Sequence, residues 1–253
     1  MTAATQPKLW LFDFDNTLAR LEPVVDWPAL RAEVRAILER AHAPGKVTQQ
    51  SPARALAMYE AYRAHLEGVP DARGAAVLAR ISKLIEKYEL DGVDRALPLE
   101  GSVDLLRAIS ARKLAAGIIT SNSSVTVMRW LSRYAVGLAI GFIVGRDSKL
   151  ALKPAPAMVK RALELGGARA RDAIYLGDSE DDLRAARRVR MRFIGIASDS
   201  NARDRLIAAG ASEIYSSPAA LAIHHNLAAA RPLGGARAPA PHKKSIARKS
   251  GAV

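Results

Sequence analysis

Two aspartates stand two residues apart in the run Leu-Trp-Leu-Phe-Asp-Phe-Asp that ends at Asp15. Side chains alternate along an extended strand, so Asp13 and Asp15 face the same way. Alone, such a pair reads as a solvated strand end. It is not alone: Ser121 with Asn122, Lys153 before Pro154, and Asp178 with Asp182 in Leu-Gly-Asp-Ser-Glu-Asp-Asp each follow a strand candidate farther along the chain. Carboxylates can attack as nucleophiles, exchange protons where their surroundings set them apart, or supply the hard oxygens that Mg²⁺ prefers. The five histidines have no ligand spacing relative to these acids, so metal binding through imidazole is not expected. Cysteine is absent, which removes a thiol nucleophile, a thiolate metal site and a disulfide framework from consideration. That agrees with a reducing cytoplasm, the expected location.

Residues so far apart in sequence need a scaffold that gathers them. Three helical patterns separate the first pair from the rest. The first covers residues 27–41, with Leu30, Val34, Ile37 and Leu38 on one face. The second begins with Ser51 as N-cap and Pro52 at the first helical position, and the third is capped by Asp71. Trp27 and Tyr62 stand at helical spacing and are expected in the core of this block. After Pro98, strands expected at 114–120, 140–144, 173–176 and 192–196 alternate with helices at 102–112, 123–134, 156–165 and 181–188. That rhythm predicts a parallel sheet covered on both faces, with ligands at the carboxyl ends of its strands. The expected fold class is therefore α/β, a doubly wound parallel sheet with an inserted all-helical cap. Its domains are a core of residues 1–20 and 98–223, a cap of 21–97, and a tail of 224–253.

In chain order, Asp13-Phe-Asp15-Asn-Thr-Leu18, Ser121-Asn122, Lys153-Pro154 and Gly177-Asp178-Ser-Glu-Asp-Asp182 resemble the four motifs of the haloacid dehalogenase superfamily. The first and fourth are specific; the second and third gain weight from their placement. The likeness covers roughly residues 8–221, and the helical insert resembles the cap of the phosphoglycolate phosphatase-like branch.

The resemblance implies a Mg²⁺-dependent phosphatase acting on a small phosphorylated metabolite. Asp13 would be the nucleophile that forms an aspartyl-phosphate, Asp15 the acid and then the base, and Lys153 a cation that eases the approach of two anions. The Ser121 hydroxyl and the Asn122 backbone amide would hold the phosphoryl group; Thr120 competes with Ser121, and the serine next to Asn122 fits the pattern better. The implied metal ligands are the carboxylates of Asp13 and Asp178 and the backbone carbonyl of Asp15, with Asp182 orienting them from behind. Asp181 reads as a first-turn acid favoured by the helix dipole. Arg20 and Glu22 sit where the chain enters the cap and would face the substrate. Asn16 stands where many relatives have glycine, and asparagine tolerates unusual backbone angles. Asp15 argues against dehalogenation, since a departing halide needs no proton. A phosphomutase would keep both acids, and a scaffold that binds polyanions is the reading from another class.

The net charge of +13 is unevenly placed. Arg231, Arg237, Lys243, Lys244, Arg248 and Lys249 lie in a tail without acids, rich in proline and glycine, whose composition predicts disorder and salt-sensitive attraction to polyanions. It has no aromatic side chain on which a base could stack. The polar start of the chain and the short apolar run 9–12 suit neither a signal peptide nor a membrane span, so a soluble, unexported protein is expected. The cap carries no motif that names a leaving group, leaving phosphoglycolate, sugar phosphates and nucleotides open.

Overall fold

Four consecutive apolar residues, Leu9–Phe12, form strand β1, and all four are buried because the sheet is covered on both faces. The computed structural model describes residues 7–49 and 54–227. Strand β2 is Ala115–Ile119, β3 Phe142–Val144, β4 Ala173–Gly177, β5 Arg192–Ile196 and β6 Ile214–Tyr215. All pair in parallel in the order β3-β2-β1-β4-β5-β6. β1 lies between β2 and β4, with Phe12 opposite both Ile118 and Leu176. The carboxyl ends of these three strands therefore share one edge.

Helices cover the sheet. One buried cluster joins Leu9, Leu11 and Tyr175 to cap residues such as Leu30, Met58 and Ile85; the other gathers Trp10, Phe12, Ile174, Leu176 and Trp130. The alternation of odd and even residues between clusters is the strand period of two. Helices α1 (Trp27–Arg40), α2 (Gly45–Thr48), α3 (Ala55–Gly68) and α4 (Ala72–Val93) make up the insert, with no strand among the described residues there. Asp26 caps α1 at Ala29, and Asp71 caps α4 at Arg73 and Gly74, as its position predicts. The expected cap at Ser51 and Pro52 lies outside the described residues. Two linkers join insert and sheet: Arg20 N–H donates to Leu97, and Leu99 N–H to Leu18.

The remaining helices are α5 (Ser102–Ala111), α6 (Ser124–Tyr134), α7 (Ala157–Leu165), α8 (Glu180–Arg188), α9 (Ser200–Ala208) and α10 (Pro218–His224). The expected strands and helices on this side are present within one or two residues of their ends. β6, α9 and α10 were not anticipated. The boundary expected at His224 needs correction: His224 ends α10, His225 reaches Glu213 at 3.0 Å, and Leu227 is buried. The remainder of the basic tail, residues 228–253, lies outside the described residues. No described helix is long and apolar enough to cross a membrane.

Candidate active site

The strand ends place the acids. Asp13 directly follows β1, and its N–H donates to Leu176 at 2.8 Å, which pins it beside the end of β4. Asp178 follows β4 directly. Asp182 lies in the first turn of α8, where Ser179 donates its hydroxyl to Asp182 at 2.6 Å and accepts the Asp182 N–H at 3.2 Å. This Ser-x-x-Asp capping box turns the Asp182 carboxylate back under the strand ends. Gly177 makes room for it: a Cβ there would come within 2.6 Å of the Asp182 Cβ.

Lys153 is nearly buried and bridges two of these acids, at 2.5 Å from Asp13 Oδ1 and 2.6 Å from Asp182 Oδ1. The Tyr175 hydroxyl donates to Asp182 at 2.7 Å. Asp182 is thus saturated by lysine, tyrosine and serine, whereas Asp178 has no side-chain hydrogen bond among the described residues. Carboxylate oxygens of Asp13, Asp178 and Asp182 all lie within 4.8 Å of one another. Three converging carboxylates with one ammonium leave excess negative charge, and Asp178 keeps open donor capacity. This donor set fits a small hard cation.

The electrostatics carry the same sign. Burial pushes the Asp13 carboxyl up to about 7; Lys153 opposes the shift, and Asp182 adds to it. Asp178 is held well above the ordinary carboxylate range by burial and by Asp13 and Asp182. Burial alone would depress Lys153, but Asp13 and Asp182 carry it above the usual lysine range, so the amine stays charged. Asp15 is set apart. Its Oδ1 accepts the N–H groups of Leu21 and Glu22, both at 2.9 Å, and burial raises it to about 7 against the pull of those amides. The backbone returns there through Asn16, whose φ of 56° is a left-handed conformation that asparagine accepts. Asp15 is thereby tied to the segment that enters the cap.

At the end of β2, Ser121 is half-buried and lines the cavity. Thr120 donates its hydroxyl to Asn122 Oδ1 at 2.9 Å and accepts the Asn122 N–H at 3.1 Å. The Thr120 hydroxyl is therefore engaged, and so is the Asn122 amide expected to receive an anion. The Asn122 side chain turns away to Glu89, at 3.1 Å.

A cavity of about 780 Å³ lies over these groups. Arg20, Glu22 and Asp181 line it, together with Arg31, Arg54 and Arg205, which sequence reasoning did not single out. Trp27 was expected in the cap core. It packs half-buried against both core clusters and also lines this cavity, its indole N–H donating to the Glu22 carbonyl at 2.9 Å. Tyr62 is buried in the cap as expected. Tyr175 was also missed. The available signals were one polar-tipped residue in an otherwise apolar strand and the Ser179–Asp182 capping spacing that faces it.

The family described as haloacid dehalogenase-like hydrolase matches residues 10–196. The phosphoglycolate phosphatase of Rhodospirillum rubrum is 27% identical over 221 residues, covering 85% of this chain and 89% of its own. The phosphonoacetaldehyde hydrolase of Bordetella pertussis is 28% identical over 219 residues, covering 80% and 78%. Among solved structures, a hydrolase from Pseudomonas syringae superposes with a TM-score of 0.56 at 24% identity, covering 87% of this chain and 98% of that one. CbbY from Rhodobacter sphaeroides, solved in complex with phosphate, gives 0.60 at 20% identity over 85% and 96%.

Proposed function

The chain belongs to the haloacid dehalogenase-like hydrolases, and from that premise we propose that it hydrolyses phosphate monoesters of small molecules with the Asp13 carboxylate as nucleophile. One observation carries the reading: Asp13, Asp178 and Asp182 converge at the strand ends with Lys153 bridging Asp13 and Asp182, while Asp15 is held separately by two backbone amides. Mg²⁺ held by the carboxylates of Asp13 and Asp178 and the Asp15 carbonyl would neutralise phosphoryl oxygens and keep Asp13 ionised. Lys153 binds Asp13 through Oδ1, which leaves Oδ2 to attack the phosphorus atom. The ester oxygen departs with a proton from Asp15, and Asp15 then takes a proton from the water that hydrolyses the aspartyl-phosphate. Asp182 keeps Lys153 in place from behind. Ser121 donates its hydroxyl to a phosphoryl oxygen, and the Asn122 amide can join it only by exchanging Thr120 for the anion.

Phosphoglycolate carries a carboxylate beside its phosphate. Arg20, Arg31, Arg54 and Arg205 line the cavity, and none has an ion pair among the described residues, which supports a small substrate with a second acidic group. A carbon–phosphorus bond next to a carbonyl is readily cleaved once an amine has condensed with that carbonyl. Lys153 is the single lysine among the described lining residues, and it is engaged by two acids. The monoester reading is therefore preferred to phosphonate cleavage. A mutase would transfer the phosphoryl group back to substrate, and product analysis on a sugar phosphate separates the two. A non-catalytic scaffold is disfavoured because Asp13, Asp15, Lys153 and Asp178 are all present.

The test is a panel of phosphomonoesters with Mg²⁺, run on the wild type and Asp15→Asn. Turnover is expected for the wild type. The variant should lose roughly 10²–10⁴-fold on alkyl phosphates but far less on an activated aryl phosphate, whose leaving group needs little protonation. Equal losses on both would refute the acid role.

The basic tail gives a second, independent expectation. A chain ended after Leu227 should elute from heparin at lower salt than the full chain while keeping its rate on small substrates. Unchanged elution would remove any polyanion role for residues 228–253.

A further inference from the structure

Glu89 and Arg146 are 57 residues apart in sequence and form an ion pair whose side chains are fully buried. The pairing is a fork: Arg146 donates to Glu89 Oε1 at 2.7 Å and to Oε2 at 3.3 Å. Glu89 belongs to α4, whose 22 residues make a rod of about 33 Å. It packs against α1 and α3 of the insert and against α6 of the sheet domain. Arg146 follows β3 and donates to the carbonyl of Ser82, also on α4, at 3.3 Å.

What this pair holds is the loop after β2. Glu89 accepts the Asn122 side-chain N–H at 3.1 Å, the Ser123 backbone N–H at 3.0 Å and the Thr126 hydroxyl at 3.1 Å. Arg146 donates to the Ser121 carbonyl at 2.7 Å, and its own N–H donates to the Asn122 carbonyl at 2.9 Å. Ser121 is thus fixed through its own carbonyl and through both following residues, and its hydroxyl side is left toward the cavity. An insert helix need not contribute a buried charge to pack on the sheet domain. A charge placed on two donors of one loop and one in the first turn of the helix that follows it points to control of that loop's geometry.

We infer that Glu89, paired with Arg146, is a positioning residue that sets the Ser121 loop for phosphate, so that the seating of α4 on the sheet domain governs phosphoryl binding. The inference rests on the phosphatase reading of Ser121, and the pair touches neither substrate nor Asp13. The metal donors Asp13 and Asp178 follow other strands and make no hydrogen bond with Glu89.

Glu89→Gln keeps the shape and removes the charge. In the folded variant, the inhibition constant for inorganic phosphate should rise roughly 10- to 100-fold, and kcat/KM should fall by a similar factor. The Mg²⁺ concentration for half-maximal rate should stay unchanged, a split that a general loss of structure would not produce. Combined with Ser121→Ala, Glu89→Gln should add little further loss, because it acts through the same loop. Glu89→Asp keeps the charge with a shorter reach, should show the same pattern more weakly, and serves where the glutamine variant does not fold. Wild-type phosphate inhibition in either folded variant, or losses that multiply with Ser121→Ala, would overturn the inference. The phosphatase reading fails separately, through a wild type that turns over no phosphomonoester. In that case the rise of melting temperature with inorganic phosphate, wild type against Glu89→Gln, still decides the role of the loop: a smaller rise in the variant supports it, and an equal rise refutes it.

Discussion

Asp13→Asn is expected to lower turnover by on the order of 10⁴-fold or more while leaving the protein folded. The substitution removes the attacking charge with almost no change in volume. Its structural cost is small for a reason visible in the site: Lys153 loses one partner but keeps Asp182 at 2.6 Å. In the metal-free protein, burial already favours a neutral group at Asp13. A melting temperature within about 3 °C of the wild type is expected, since a shift of that size corresponds to roughly 1 kcal/mol in a domain this large. Comparable turnover in the variant would remove Asp13 as nucleophile.

Removing Mg²⁺ should have the second large effect. Excess chelator is expected to abolish turnover, and Asp178→Ala to raise the metal requirement or eliminate activity. Stability should report the same site through pH. Asp13 and Asp15 are raised from 3.8 to about 7 in the folded protein, so between those values the native state binds more protons than the unfolded chain. The slope of unfolding free energy with pH follows the protons bound by the unfolded state minus those bound by the native state, and here that difference is negative. Metal-free protein should therefore lose stability as pH rises from about 4 to about 7. Mg²⁺ needs the ionised carboxylates and should reverse this, raising the melting temperature more at pH 8 than at pH 5. At about 100 times its dissociation constant the gain is ~2.7 kcal/mol, or roughly 5–10 °C in a domain of this size. Full rates in chelator, or a melting temperature indifferent to Mg²⁺ at pH 8, would contradict the metal site.

Much of this site is legible in the sequence because Asp13, Ser121 and Asp178 each come at the end of an apolar run short enough to be a buried strand. Asp13, Ser121 and Asp178 needed only the parallel topology to bring them together, and β1 pairing with both β2 and β4 does so. The elements missed are those with weak local signals. β6 is two residues long and only half-buried, so it shows no apolar run. α10 did announce itself, through Ser217 as N-cap and Pro218 at the first position, but the histidines and the basic tail beyond it drew the boundary too early. Glu89 and Arg146 were invisible for a different reason. Each reads as an ordinary charged residue in a polar stretch, and only the crossing of α4 over the loop after β2 buries them together. Trp27 was legible only in part: helical spacing places it on an inward face, where it packs against the core, without saying that the same face also borders the cavity.

The central claim is covalent, and covalent capture tests it most directly. Enzyme mixed with a turned-over phosphomonoester and Mg²⁺, quenched in acid within the first turnover and digested, should yield the peptide containing Asp13 carrying the mass of one phosphoryl group, with fragmentation placing it on that residue. The same peptide from Asp13→Asn should be unmodified. Product release from the wild type with no phosphoryl group on Asp13 at any quench time, or with the group on another residue, would contradict the account.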